Sequence, residues 1–219
     1  MFESFTIENL SFQYSDGSQI LQNIFLKARE GEIIGFLGRN GAGKSTFFKS
    51  LTVYNEGLGS TFINDVYVPK KKLIKNIAYL PQYTFLPKEK SVKYIINMFP
   101  ILKDKKQEIL SEERIFPLLK QKFYSLSGGE KRYLEFLLIN SLQKNIRILD
   151  EPFSEIEPIY EHKICEHIRN NQKGNVFIIT DHKLPVIKEL CTRIVMLING
   201  ECIELSDISE LAKYGYAFN

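Results

Sequence analysis

The feature that most constrains this chain is a glycine-rich segment between an apolar run and a helical pattern. Residues 33–37 are short and apolar enough for a buried strand, and Phe47, Phe48 and Leu51 begin a helical period. Strand, glycine turn and helix start are the context that a phosphate-binding loop requires. The segment between them fits the pattern G-x-x-x-x-G-K-[ST] with Gly38, Arg39, Asn40, Gly41, Ala42, Gly43, Lys44 and Ser45, and Thr46 follows as a further candidate binding residue.

Each part of this loop has a physical role in binding a nucleoside triphosphate. The glycines let successive N–H groups converge on phosphate oxygens, where the positive end of the next helix already favours an anion. Lys44 supplies a charge for the outer phosphates, and Ser45 supplies a hydroxyl for Mg²⁺. The alternative is a chance glycine turn before an ordinary helix, which does not explain why both flanks fit.

An acidic pair follows about a hundred residues later. Asp150 and Glu151 close the apolar run 146–149, and ligands of open α/β sheets bind at the carboxyl ends of strands. Adjacent strand residues point to opposite faces, so we expect different roles for the two acids. Asp150 is expected to orient Mg²⁺, and Glu151 to activate a water in line with the outer phosphoryl group. The alternative is a solvated acidic turn.

Apolar runs alternate with helical periods along most of the chain. This alternation predicts an α/β fold with a mostly parallel sheet covered on both faces, preceded by antiparallel strands. Residues 83–123 differ, because they are richer in Lys and Glu and are interrupted by proline. Helical periods at 92–99 and 107–119 predict a small helical lobe there, inserted into the α/β domain.

Composition and charge exclude several classes of protein. A net charge of +3 is too small to indicate nucleic-acid binding, so no direct nucleic-acid partner is expected. No apolar run reaches the ~18 residues of a membrane span, and the N-terminus lacks a signal-peptide pattern. The three cysteines contain no C-x-x-C pair, which is typical of free thiols in a reducing compartment. We therefore expect a cytoplasmic chain without a transmembrane segment of its own.

The segment Leu-Ser-Gly-Gly-Glu at 126–130 resembles the signature motif of the ATP-binding cassette (ABC) family, which reads L-S-G-G-Q in most members. Three further family motifs are matched in order by Tyr14, Gln82 and His182. The resemblance implies that Tyr14 stacks on adenine, with Phe12 as the competing aromatic residue. It also implies that Gln82 senses the metal and the membrane subunit, and that His182 contacts the γ-phosphate.

The resemblance covers the whole chain and implies a P-loop NTPase of the ABC ATPase type. Residues 1–219 are expected to form a single ABC ATP-binding domain, with 1–82 and 124–219 as the catalytic core and 83–123 as the inserted helical subdomain. The implied cofactors are ATP and Mg²⁺. The catalytic residues that the resemblance implies are Glu151, His182 and Gln82. The residues expected to bind the metal are Ser45, Gln82 and Asp150.

The signature segment also makes physical sense as a second anion site. It immediately precedes a long helical period, so first-turn N–H groups face outward, and Ser127 is expected to serve as the N-cap. The resemblance implies a head-to-tail homodimer in which one chain binds ATP and the other closes the site. The residues expected to act in this way are Ser127, Gly128, Gly129 and Glu130.

The resemblance further implies separate integral membrane subunits that dock on the helical lobe beside Gln82. Four apolar residues either form the docking groove or belong to the core of the lobe: Tyr83, Phe85, Leu86 and Phe99. The implied place of the chain is the cytoplasmic face of the membrane, bound through this partner.

The chain departs from the family pattern at several positions. Glu130 replaces the usual glutamine of the signature, and the dimer-spanning loop has Glu155 and Glu157 where Gly and Asp are usual. Arg147 interrupts a strand that is expected to be buried and apolar. Either Arg147 has a buried partner, or the strand is less enclosed than its neighbours.

The function expected from these motifs is that of the ATP-binding and ATP-hydrolysing subunit of an ABC transporter. The motif strings are most similar to cassettes of lipopolysaccharide export and branched-chain amino-acid uptake. One alternative is an ABC ATPase without transport, associated with nucleic acid or ribosomes. A second alternative is a regulatory cassette that hydrolyses ATP weakly.

Overall fold

The computed structural model describes residues 1–52 and 57–214. The predicted domain 1–219 therefore includes two short segments, 53–56 and 215–219, that lie outside the described residues. The strands are β1 (Ser4–Gln13), β2 (Gln19–Arg29), β3 (Ile33–Leu37), β4 (Leu58–Ile63), β5 (Val66–Tyr67), β6 (Ile77–Leu80), β7 (Ile146–Asp150), β8 (Val176–Thr180), β9 (Arg193–Ile198) and β10 (Glu201–Leu205). The helices are α1 (Lys44–Thr52), α2 (Lys70–Leu73), α3 (Val92–Met98), α4 (Lys103–Ser111), α5 (Gly128–Asn140), α6 (Pro158–Asn170) and α7 (Leu184–Leu190).

A six-stranded sheet forms the centre of the fold, with the strand order β10-β9-β3-β8-β7-β6. Every residue of β3, β7 and β8 is buried, which explains why these strands have continuous apolar runs in the sequence. All pairings are parallel except that of β10 with β9, which are joined by the turn at Asn199 and Gly200. The predicted mostly parallel sheet is therefore confirmed.

A second sheet is antiparallel, with the order β2-β1-β4-β5. It packs on the central sheet through Phe5, Ile24, Phe36 and Phe48, which belong to one buried apolar cluster. β4 and β5 form a hairpin, and its turn residues Asn64 and Asp65 both have positive φ, as a two-residue hairpin turn requires. The antiparallel subdomain is thus present as predicted.

The inserted segment 83–123 is helical, but one of its predicted helices is wrong in extent. α3 corresponds to the period at 92–99, whereas α4 ends at Ser111 and the period 107–119 is broken at Glu112. The Glu112 carboxylate accepts hydrogen bonds from the backbone N–H groups of Arg114 and Ile115, which turns the chain. Pro117 then lies in a short 3₁₀ helix, Phe116–Leu118. The division of the chain at 83–123 remains a prediction.

Arg147 is buried in β7 and has partners, which resolves the two alternatives left by the sequence. Its guanidinium donates to the backbone carbonyls of Asn140 and Lys144, and to the side-chain oxygens of Asn140 and Asn175. Asn140 is the last residue of α5, so Arg147 satisfies carbonyl groups left free at that helix end. Burial lowers the pKa of Arg147 to about 10, so the side chain stays charged at neutral pH.

Candidate active site

The carboxyl ends of β3, β6, β7 and β8 surround a cleft of about 460 Å³. The glycine-rich loop between β3 and α1 forms one wall, and the segments that follow β6, β7 and β8 form the other. Ile20 also lines the cleft and had no predicted role. The predicted site residues that line it are Tyr14, Asn40, Gly41, Gly43, Lys44, Ser45, Thr46, Gln82, Asp150, Glu151 and His182.

Three residues of the loop do not line this cleft. Arg39 and Ala42 face a neighbouring cavity of about 740 Å³, next to the β9–β10 turn. Gly38 is buried under β9, where an added Cβ would lie 2.9 Å from the carbonyl oxygen of Leu197. Gly38 is therefore required by backbone packing, apart from any contact with a phosphate.

Gly43 is required by both its conformation and its surroundings. Its φ of 103° lies in a region that side-chain-bearing residues rarely adopt, and an added Cβ would lie 2.7 Å from Ile20 Cγ2. The loop can therefore turn closely into α1, with the N-terminus of that helix directed at the cleft. This arrangement supplies backbone N–H groups and a helix dipole for an anion.

The Lys44 side chain is held by backbone carbonyl groups of its own loop. Its Nζ donates to the carbonyl oxygens of Gly38, at 2.6 Å, and Arg39, at 3.3 Å. Burial lowers the pKa of Lys44, whereas the nearby acids Glu151 and Asp150 raise it. Phosphate oxygens in the cleft would replace these carbonyl acceptors, and they would bind the ammonium more strongly because they are charged.

Tyr14, rather than Phe12, lies at the mouth of the cleft. The Tyr14 ring is 49% exposed and meets the Phe12 ring edge-on at a centroid distance of 4.9 Å. Phe12 itself packs against the core of the antiparallel sheet. Tyr14 Oη lies 3.3 Å from Thr46 Oγ1, so the ring is tethered to the start of α1. The exposed part of the ring is available to a planar group.

Asp150 and Glu151 line the same cleft but make different contacts. Tyr79 donates its hydroxyl to Asp150 Oδ2 at 3.1 Å, and burial raises the pKa of Asp150 despite this hydrogen bond. A nearby cation would offset that burial penalty, so the site favours positive charge. The sequence did not single out Tyr79, whose role depends on the pairing of β6 with β7.

Glu151 is the carboxylate on which the other predicted residues converge. Gln82 Nε2 donates to its Oε2 at 3.1 Å, and His182 Nε2 lies 3.1 Å from its Oε1. Glu151 follows β7 with a φ of 52°, so the chain turns sharply after Asp150. Both acids line the same cleft, and their separate roles remain a prediction.

Asp181 is a supporting residue that the sequence analysis did not identify. Its carboxylate accepts from the backbone N–H groups of Phe153, at 2.8 Å, and Lys183, at 2.9 Å. It thereby joins the segment after Glu151 to the segment that contains His182. Burial raises the pKa of Asp181, and the two backbone hydrogen bonds oppose that shift. Its place between Thr180 and His182 was the available sequence signal.

The signature segment begins α5 and lies outside the cleft of its own chain. Ser127 is the N-cap, and it forms a capping box with Glu130 in which each side chain accepts from the other residue's N–H group. The predicted N-cap is therefore confirmed, and Glu130 performs a structural role that glutamine can share. Ser127 and Gly128 are exposed, and because the capping box uses the N–H groups of Ser127 and Glu130, the Gly128 N–H is the group available to an anion from outside.

The two unusual acids of the dimer-spanning loop pack differently. Glu155 has a φ of 53°, a conformation that glycine adopts without strain. The Glu157 carboxylate folds back against Gly129, where an added Cβ would overlap it and would lie 2.9 Å from the Tyr160 ring. Glu157 therefore packs on the signature helix of its own chain, and only a glycine at position 129 permits that contact.

A phosphate loop that meets a carboxylate at the edge of a parallel sheet defines a P-loop nucleoside triphosphatase. The model of the ABC transporter family matches residues 21–154. The chain therefore belongs to the ABC transporter family, and its fold is that of the family's ATPase domain.

Curated relatives and solved structures agree with this assignment. The lipopolysaccharide export system ATP-binding protein LptB of Escherichia coli (strain K12) is 30% identical, over 90% of this chain and 88% of the relative. The carnitine transport ATP-binding protein OpuCA of Listeria monocytogenes is 28% identical over 94% of this chain, which spans only 56% of that relative. A solved structure described as the ATP binding subunit of an ABC transporter has a TM-score of 0.81 at 22% identity, covering 97% of this chain and 95% of that one.

Proposed function

We propose that this chain is the ATP-hydrolysing subunit of an ABC transporter and that Glu151 is its catalytic carboxylate. The observation that carries the proposal is the position of Glu151 in one cleft with Lys44, within hydrogen-bonding distance of both Gln82 and His182. A solvated acidic turn would not place three polar groups around one carboxylate. The geometry therefore favours a hydrolytic site over a site that only binds nucleotide.

ATP binds with its base at Tyr14 and its phosphates on the loop 38–46. The outer phosphates displace the loop carbonyls from Lys44, which then provides a charge to the γ-phosphoryl group. Thr46 sets the position of the Tyr14 ring through the contact between their hydroxyls. The start of α1 therefore positions both the phosphates, through the loop, and the Tyr14 ring that contacts the base.

Glu151 accepts a proton from the attacking water. Gln82 and His182 each approach one oxygen of the carboxylate, and each oxygen keeps a second lone pair for the water. The carboxylate is thus oriented before the water is bound, which is the requirement for efficient general-base catalysis. His182 is the group best placed to contact the γ-phosphate as well.

The cleft also suits Mg²⁺. The residues that would hold it are Ser45, Asp150 and Gln82, which offer hydroxyl, carboxylate and amide oxygens, the donors preferred by a hard cation. When bound, Mg²⁺ would neutralise charge on the transferred phosphoryl group. Among the described residues there is no cluster of three or more His, Cys, Asp or Glu side chains that could hold a metal.

A second copy of the chain completes the site in this proposal. The exposed start of α5 at Gly128 offers a helix N-terminus to an anion without a nucleotide cleft of its own. A head-to-tail dimer brings this anion site over the ATP bound by the other copy. Binding of ATP closes the dimer, and hydrolysis reopens it.

Membrane subunits dock on the helical lobe in this proposal. Tyr83 is 79% exposed and Phe85 is 41% exposed, directly after Gln82. Leu86 is buried in the main core and the partly buried Phe99 packs against that core, so Tyr83 and Phe85 are the most exposed of the four apolar candidates. Within the described part of the chain, no helix is long and apolar enough to cross a membrane. A separate membrane subunit would hold the chain at the cytoplasmic face.

The cargo follows from the membrane subunit rather than from this chain. Relatives named for lipopolysaccharide export and for carnitine transport match the chain at similar identity. ATPase subunits of similar sequence that drive different membrane subunits account for this similarity. Identification of the co-purifying membrane protein is the measurement that assigns the cargo class and direction.

The proposal is tested first by ATP hydrolysis. Wild-type chain is expected to release phosphate from MgATP, and Lys44→Ala is expected to weaken ATP binding by about tenfold or more, because a charge-assisted contact is lost. Lys49→Ala is the matched control, since Lys49 is exposed on the same helix. Calorimetry measures the binding, and equal affinity for all three proteins would contradict the assignment of the loop.

A further inference from the structure

A buried ion pair stands on the first turns of α5, behind the nucleotide cleft. Arg132 is 7% exposed and Glu135 is 1% exposed, and Arg132 Nη1 lies 3.6 Å from Glu135 Oε2. Both residues line a cavity of about 210 Å³ that Gln82 and Glu151 also line. A buried ion pair is a weak source of net stability, so the contacts of this pair indicate another role.

Arg132 connects the ends of two neighbouring strands. Its guanidinium donates to the carbonyl oxygen of Pro81 at 2.6 Å, and to those of Asp150 and Glu151 at 2.5 Å and 3.1 Å. Pro81 directly precedes Gln82. The planar guanidinium has five donors in a fixed arrangement, so it can hold all three carbonyls at once.

Glu135 connects the same network to the helical lobe. Its Oε1 accepts from the Thr84 hydroxyl at 2.5 Å and from the backbone N–H of Phe85 at 3.1 Å. Gln82 therefore lies between two anchored points, with Pro81 held by Arg132 and Thr84 held by Glu135. Gln82 in turn donates to the Glu151 carboxylate.

The backbone of Glu151 has a conformation that requires such hydrogen bonds. Its φ of 52° lies in the left-handed region, which is disfavoured for a residue with a side chain. Three hydrogen bonds hold its backbone in this conformation: its N–H donates to the Thr180 carbonyl, and its carbonyl accepts from Arg132 and from the Ser154 N–H. Arg132 is thus one of the groups that fix the backbone from which the carboxylate extends.

We propose that Arg132 and Glu135 are positioning residues for ATP hydrolysis, which fix Gln82 and Glu151 relative to each other. The pair also makes this arrangement sensitive to the helical lobe, because a displacement at Thr84 or Phe85 reaches the backbone of Glu151 through two side chains. The inference rests on the proposed function, since it describes how the same hydrolytic site is set up.

The test separates catalytic rate from nucleotide affinity in the full chain. Arg132→Met keeps the apolar stem and removes all three contacts, and it is expected to lower kcat for MgATP by about 10- to 100-fold. Affinity for a slowly hydrolysed ATP analogue is expected to change by less than about threefold, since Arg132 does not line the nucleotide cleft. Arg132→Lys keeps the positive charge but lacks the planar set of guanidinium donors, so it is expected to retain only part of the rate.

A double-mutant cycle tests whether Arg132 acts through Gln82. If it does, Arg132→Met lowers kcat much less in a Gln82→Ala background than in the wild type. Thr84→Val is a milder second probe that removes one donor to Glu135 without disturbing the ion pair. It is expected to lower kcat in the same direction, and it is usable even if Arg132→Met does not fold.

Arg147→Met is the matched control, because Arg147 is also a buried arginine that holds backbone carbonyls, at the opposite end of α5. Its kcat per folded molecule is expected to stay within about twofold of the wild type. The inference is overturned if Arg132→Met and Thr84→Val keep the wild-type kcat, if Arg147→Met loses as much, or if the cycle is fully additive. If the wild type itself shows no Lys44-dependent hydrolysis, the proposed function fails instead.

Discussion

Replacement of Glu151 by glutamine is the sharpest test of the hydrolytic site, because the structure predicts that the new side chain fits. The amide oxygen of the introduced glutamine can still accept from Gln82 Nε2, as Glu151 Oε2 does at 3.1 Å. The amide NH₂ then faces His182 Nε2, which lies 3.1 Å from Oε1. Neutral His182 can accept that hydrogen bond through a change of tautomer. The cleft should therefore keep its shape and its affinity for ATP.

The expected loss is confined to proton transfer. Glutamine cannot accept a proton from water, and removal of a positioned general base lowers the rate by about 10²–10⁴-fold. That loss corresponds to about 3–5 kcal/mol in the activation free energy. Because Asp150 makes its own hydrogen bond with Tyr79, the metal-binding side of the cleft should be unaffected.

Two measurements on purified Glu151→Gln check these expectations. Phosphate release from MgATP is expected to fall, while calorimetry shows ATP affinity close to that of the wild type. Size-exclusion chromatography with MgATP is expected to show a species of twice the chain mass, because the closed dimer forms but does not reopen. Glu166→Gln serves as control, since Glu166 is exposed on α6, where it pairs with exposed His162. Wild-type turnover by Glu151→Gln would refute the role of the carboxylate, and a monomer that binds ATP would refute the dimer.

Two further predictions concern conformation and cysteine reactivity. Glu155→Gly is expected to raise the free energy of unfolding by about 0.5 kcal/mol, because relief of the left-handed φ of 53° outweighs the conformational entropy that glycine loses on folding. Glu155→Ala keeps a Cβ and should not raise it. Urea midpoints of both variants measure the difference, and equal midpoints would contradict backbone strain at Glu155. Burial raises the pKa of Cys165 to about 11 and of Cys191 and Cys202 to about 12, so all three stay protonated at pH 8. An aromatic disulfide reagent at pH 8 is therefore expected to react much faster in urea than with the folded chain, and equally fast reaction would contradict the burial of the thiols.

Sequence patterns predicted the strands of the central sheet closely, because parallel strands buried on both faces appear as continuous apolar runs. The run at 33–37 coincides with β3, and the run at 146–149 falls within β7. The period at 107–119 failed as a helix because the Glu112 side chain captures backbone N–H groups that a helix would need. That competition between side chain and backbone is not visible in an apolar period.

The network around Arg132 was not predicted for a related reason. Its partners Pro81, Asp150 and Glu151 come from distant parts of the sequence, and the pair with Glu135 appears in the sequence as an ordinary charged helix face. The available signal was that two charges stand among the apolar positions of α5. Arg147 gave a similar signal and was noticed, since a charge within a buried strand needs a partner.

The phosphate loop was determined by the sequence alone, since all of its groups lie within nine consecutive residues between a strand and a helix. Local backbone geometry places its glycines, its lysine and its hydroxyls, so a contiguous pattern is sufficient. The arrangement around Glu151 was decided only by the tertiary structure. Gln82, Glu151 and His182 meet because β6, β7 and β8 are neighbours in one parallel sheet, whose carboxyl ends face the same edge.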